Sequence, residues 1–166
     1  MKTRALLCTL SLFLAACATN GELRTVNDPF KGTVRGFALY LDPGHYTAVD
    51  MSQVKGELTM GVLVVQRGVA HYTAQPGDKA QFRVGDKLMT LRNVDEARPV
   101  ANATPYQMFT QWLVHFKLTP EQAAAFAAAP LTDVLVSIGD LSFQMRLDEA
   151  QATKFRENMV VLTAAR

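Results

Sequence analysis

The chain predicts an α+β fold: a mostly antiparallel sheet or small sandwich, with a short helix at about 120–128 and a C-terminal helix at about 149–164 packed on it. Three observations carry this. Apolar and polar residues alternate at period two from Tyr106 to Leu118, apolar runs flank tight Gly-Asp turns at 85–86 and 139–140, and two helix-start signatures stand in the last third. Two-residue connections reverse the chain, so strands joined that way are antiparallel. Strands mostly precede the helices rather than alternating with them, which separates α+β from α/β.

Taken in order, Val34–Leu41 and Met60–Tyr72 are apolar enough to be strands, the second broken or turned at Arg67-Gly68. Gln81–Val84 and Lys87–Arg92 form a hairpin through Gly85-Asp86, the longer arm bearing Leu88, Met89 and Leu91. In Tyr106–Leu118, Tyr106, Met108, Thr110, Trp112, Val114, Phe116 and Leu118 share one face, and Gln107, Phe109, Gln111, Leu113, His115 and Lys117 the other. The first helix starts at Thr119-Pro120-Glu121-Gln122, a capping hydroxyl, a proline at the first helical position and a glutamine that can reach back; Pro130 ends it. Val134, Val136 and Ile138 then pair through Gly139-Asp140 with Leu141, Phe143, Met145 and Leu147. Asp148-Glu149-Ala150-Gln151 repeats the start signal, and Ala152, Phe155, Met159 and Leu162 lay a stripe that must bury against a sheet.

The beginning of the chain has a different character. Lys2 and Arg4 precede an apolar run from Ala5 to Leu14, interrupted only by Cys8, Thr9 and Ser11. That is the pattern of a secretory signal and is too short to span a bilayer. Leu14-Ala15-Ala16-Cys17 stands where such a signal is cut. The residues alone also allow an ordinary cut beside Ala16 or Ala18, with Cys17 incidental. Residues 1–17 closely resemble the signal and lipobox of bacterial lipoproteins. The resemblance implies that residues 1–16 are removed and that Cys17 is the lipid attachment site, carrying a diacylglyceryl thioether and an acylated amino terminus. Two or more acyl chains hold a protein on a membrane stably, whereas one does so marginally. Because Ala18 rather than aspartate follows the cysteine, the resemblance further implies a place in the outer membrane, facing the periplasm.

Removing residues 1–16 takes away Lys2 and Arg4 and no acidic residue, which leaves fifteen basic and fifteen acidic side chains. A neutral chain without a basic run has no electrostatic footprint for nucleic acid and no polybasic patch for anionic lipid. Cys17 becomes the sole cysteine, so no internal disulfide and no zinc site of paired cysteines can form. About 150 residues suit one domain, which buries roughly 68–70% of its unfolded surface. The division expected is a signal at 1–16, a lipidated flexible tether at 17–31 and one domain at 32–166, the tether reaching roughly 45 Å at about 3.3–3.6 Å per residue.

The densest polar cluster is Asp42-Pro43-Gly44-His45-Tyr46, with Asp50 close behind. A carboxylate and an imidazole on one loop can act as base and orienter or hold a metal. Asp-Pro-Gly is equally what a tight turn requires, and the turn reading is preferred. His71 and His115 fall within strands without a carboxylate at ligand spacing and read as exposed or satisfied strand histidines. Met51, Met60, Met89, Met108, Met145 and Met159 suit a lipid-like ligand or, more simply, a core. The segment Asn93–Pro105 has no periodic pattern; a loop of that length is often functional, and Asp95, Glu96 and Arg98 would form its charged tip.

The expected function is that of a non-enzymatic, lipid-anchored envelope protein. It would bind another envelope component or take a structural part in an assembly, with the membrane as its partner through the anchor. The alternatives are a carrier or sensor of a small hydrophobic ligand, and a hydrolase or metal enzyme using His45 with Asp42 or Asp50. No catalytic residue, metal ligand or cofactor is assigned.

Overall fold

The computed structural model describes residues 20–42, 47–104 and 107–164. The expected signal and Cys17, residues Pro43 to Tyr46 with His45 among them, and Pro105-Tyr106 lie outside the described residues.

Among the described residues, ten strands build two antiparallel sheets, with two helices between and beside them. The first sheet has the order β1 (Arg24–Asp28), β2 (Gly32–Tyr40), β3 (Ala48–Val54), β4 (Glu57–Arg67), β8 (Gln107–Leu118), β7 (Val100–Thr104). The second runs β10 (Leu141–Arg146), β9 (Leu131–Ile138), β5 (Lys79–Val84), β6 (Lys87–Arg92). Helix α1 (Pro120–Ala128) packs on α2 (Glu149–Ala164) and β8, and α2 reaches both sheets through β2 and β9. The α+β expectation holds, and both helices fall on the predicted spans.

Local chemistry explains the ends. Thr119 and Gln122 close a reciprocal capping box at α1, and Asp148 and Gln151 do the same at α2. Ala129 is extended, as a residue before proline must be, and stops α1. The β3–β4 hairpin turns on Lys55 and Gly56, both left-handed at φ 51 and 82, the geometry that matches strand twist. At the far end of α2 the buried Gln53 amide donates to the Leu162 carbonyl, one of the orphans a helix end leaves.

The core is a chain of perpendicular aromatic rings running through every layer. Phe37 of β2 meets Phe155 of α2 at 5.4 Å, Phe155 meets Phe126 of α1 at 5.9 Å, Phe126 meets Phe82 of β5 at 5.9 Å, and Phe82 meets Phe116 of β8 at 5.5 Å. Edge-to-face packing satisfies the ring quadrupoles while excluding water. Met51, Met60, Met145 and Met159 fill the spaces around these rings, so core filling is what four of the methionines do. Trp112 is buried, and its indole N–H donates to the Tyr72 carbonyl at 2.8 Å.

Three expectations need correction, and the bounds of a fourth element shift. Arg24–Asp28, placed in the tether, is strand β1, paired with β2 from Arg24↔Gly36 to Asp28↔Gly32. The chain is already held before it: Asn20 exchanges hydrogen bonds with the Tyr40 backbone, and Gly21 donates to the Ala38 carbonyl at 2.8 Å. Ala48–Val54, left outside any element, is the third strand of the large sheet. Asn93–Pro105 is no free loop, since Val100–Thr104 is β7 on the β8 edge. The strand expected from Met60 begins earlier, at Glu57, and it ends at Arg67 as expected, where Gly68 at φ 88 turns the chain out of the sheet.

Candidate functional site

Residues opposite one another in an antiparallel sheet share a face. The register places Ala38, Asp50, Gly61 and His115 in one row across β2, β3, β4 and β8, on the face turned away from the aromatic core. Gly61 is a gap in that row. A Cβ there would fall almost on Asp50 Oδ1, so the Asp50 carboxyl lies directly over the glycine and towards the His115 strand. A glycine inside a strand marks such close approach.

Burial sets the protonation of this row. It pushes the Asp50 carboxyl from 3.8 up to about 7, partly offset by a hydrogen bond from the residue's own backbone. Tyr40 is raised by burial and then by the Asp50 charge, which places its hydroxyl within the same electrostatic neighbourhood. His115 is buried, not surface-exposed as one reading of its strand allows, and burial lowers its pKa against the opposing pull of Asp95. The row thus holds a carboxyl raised to about 7 and an imidazole held neutral by its burial.

The start of the segment Asn93–Pro105 runs along the backbone of His115. Where β7 stops pairing, Asn93 and Val94 continue along the β8 edge: the His115 N–H donates to Asn93 Oδ1 at 3.2 Å, and the Val94 N–H donates to the His115 carbonyl at 2.9 Å. The Asn93 amide also donates to the Gln75 and Asp95 carbonyls, at 3.1 and 2.5 Å. Every polar atom of this buried side chain is therefore satisfied. The charged tip behaves as expected of surface residues: Arg98 pairs with Glu96 at 2.8 Å, largely in water.

Of the cluster at 42–50, His45 lies outside the described residues, and the two described carboxylates stand apart. Asp42 accepts the backbone N–H and the hydroxyl of Thr47, each at 2.5 Å, which is turn chemistry. Asp50 stands inside β3, four register positions further down the sheet, in the row of Ala38. Among the described residues no three of His, Cys, Asp and Glu gather to hold a metal. Gly61 is the member that sequence reasoning missed; a lone glycine between Met60 and Val62 was its signal.

The pH dependence of stability follows from two opposed groups. The unfolded chain loses the Asp50 proton near pH 4 and the folded chain only near 7, so the native state holds more protons in that window and stability falls as pH rises through it. His115 works the other way: kept neutral in the fold, it costs stability as pH drops below the ordinary imidazole range. Asp50→Asn is expected to gain about 1–2 kcal/mol at pH 8 and nothing at pH 4 in urea melts. An equal gain at both pH values would show that the charge is not the cause.

The four sheet edges differ in chemistry. β1 carries Arg24 and Asp28, β6 carries Lys87 and Arg92, and β10 carries Arg146. β7, Val-Ala-Asn-Ala-Thr, has no charge at all, and Val100 is 57% exposed upon it. Native edges are commonly protected by charge, so an uncharged one is an opening for another strand. No protein-family model, curated protein or solved structure matches this chain.

Proposed function

We propose that the protein is a lipid-anchored component of the outer membrane, facing the periplasm, that works without catalysis by binding another envelope component as a strand added to the β7 edge. The uncharged, exposed edge carries this reading: main-chain groups along it supply affinity, and alternate side chains supply specificity. It lies within Asn93–Pro105, the segment whose length marks it as a functional candidate, and its neighbours Asp95, Glu96 and Arg98 would flank an incoming chain. The methionines support no ligand chamber, since four are spent in the core. Among the described residues no helix is long and apolar enough to cross a membrane, and the resemblance at Cys17 supports attachment by lipid instead.

The test uses the full chain in cells of a Gram-negative bacterium, with a photo-crosslinking residue at Val100. One discrete cross-linked product is expected, and it should vanish with Ala101→Lys or Ala103→Lys. Both alanines are exposed, so lysine adds charge to the edge without disturbing packing. A product that persists in both lysine variants, or no product, would overturn the reading.

A further inference from the structure

The distance from the anchor to the domain is short, and this has a geometric consequence. Asn20 is fixed by two hydrogen bonds to the Tyr40 backbone, at 2.7 and 3.2 Å. Gly21 is fixed on both sides: its N–H donates to the Ala38 carbonyl at 2.8 Å, and its carbonyl accepts from the Asn158 amide at 2.8 Å. Cys17 is three residues before Asn20, so at about 3.3–3.6 Å per residue the anchoring residue stands no more than about 11 Å from it. The domain has no long stalk.

The end of the sheet from which the chain departs is not flat. The row of Tyr40 runs through Ala48 and Leu63 to Leu113. β4 and β8 continue past it for four more pairs, to Arg67↔Phe109, which adds about 13 Å along the strands and, after sheet twist, roughly 6–9 Å in the direction of β2. Their tip therefore advances about as far as the anchor allows the domain to stand off.

That tip has the composition of a membrane-facing surface. Val69 is 53% and Met108 50% exposed, and they are held side by side by the Gly68 N–H, which donates to the Met108 carbonyl at 2.9 Å. Arg67 and His71 beside them are exposed. No carboxylate occurs between Glu57 and Asp78 or between Glu96 and Glu121, although the chain carries fifteen acidic residues. Apolar side chains beside an arginine suit the headgroup region of an anionic bilayer, and a carboxylate that does meet this segment, Asp140, accepts from the Tyr72 hydroxyl at 3.4 Å.

Resting on lipid attachment at Cys17, we propose that the tip formed by the end of β4, the turn at Gly68 and the start of β8 docks on the bilayer that holds the anchor, with Val69 and Met108 entering the interface. The docked domain presents the β7 edge upright beside the membrane, with Thr104 towards the lipid and Val100 away from it.

The lipidated full chain is reconstituted in vesicles of phosphatidylethanolamine and phosphatidylglycerol. Single cysteines for an environment-sensitive dye are introduced as Val69→Cys, Met108→Cys, Phe30→Cys and Leu88→Cys, the last two being exposed sites elsewhere on the domain. Cys17, capped by lipid, does not react. Quenching by lipids labelled near the headgroup should be at least about twofold stronger at 69 and 108 than at 30 and 88. Equal quenching at all four sites, with the mass of the amino-terminal peptide confirming lipidation, overturns the docking alone. An unmodified Cys17 peptide overturns both anchor and docking. Protection of sites 69 and 108 in cells but not in protein-free vesicles assigns the tip to a protein partner and also overturns the proposal.

Discussion

Phe155→Ala is expected to lower unfolding free energy by about 3–5 kcal/mol, the usual cost of removing a fully buried aromatic ring and leaving its cavity. Phe155 is the junction of the aromatic chain: it touches Phe37 of the large sheet on one side and Phe126 of α1 on the other. Its loss breaks the only ring-to-ring link from the large sheet to the helices that runs through β2 among the described residues. Val160→Ala on the exposed side of the same helix is the control and should cost less than about 1 kcal/mol. Urea denaturation at constant slope measures both. A Phe155→Ala cost no larger than the control would mean that the layers are held by the sheet–sheet contacts alone.

Elements that bury one apolar face were legible in the sequence, and elements that do not were missed. β8, the β9–β10 hairpin and α2 each advertise a continuous stripe, because alternation at two or at three and four residues is the direct record of a buried face. β1 and β7 are edge strands with little to bury, so their residues carry no period. β3 is central, yet its outward positions Ala48, Asp50 and Ser52 are small or polar and only Val49 and Met51 mark its inner side. The Asp-Pro-Gly turn then drew Asp50 into the preceding loop, whereas the hairpin register carries it into the sheet.

The site was less legible than the fold because its geometry is made by pairing, not by proximity along the chain. Asp50 and Gly61 belong to opposite arms of one hairpin, and His115 joins them from a strand more than fifty residues later. The backbone of the buried His115 is held by Asn93, which sequence places in an irregular segment. Composition gave the reverse impression, since Lys117 on the same face of β8 is exposed.

Gly61→Ala is expected to destabilise the protein by about 3 kcal/mol, the upper end of what an overpacked site costs. The added methyl would overlap the Asp50 carboxyl, which must then leave its bed over β4. A glycine-to-alanine change inside a strand ordinarily gains stability by reducing unfolded-state entropy, so a loss of this size identifies the clash rather than the backbone as its origin. Asp50→Ala removes the obstructing group, and with it the buried carboxyl that opposes folding above neutral pH. The double variant should therefore recover most of the loss, giving a coupling energy of about 2 kcal/mol in a double-mutant cycle. Additive effects would place the carboxyl somewhere other than over Gly61. Because the Asp50 charge weakens the fold only when the proton is gone, the Asp50→Ala gain should be larger at pH 8 than at pH 4, whereas the packing cost of Gly61→Ala in the Asp50→Ala background should be the same at both.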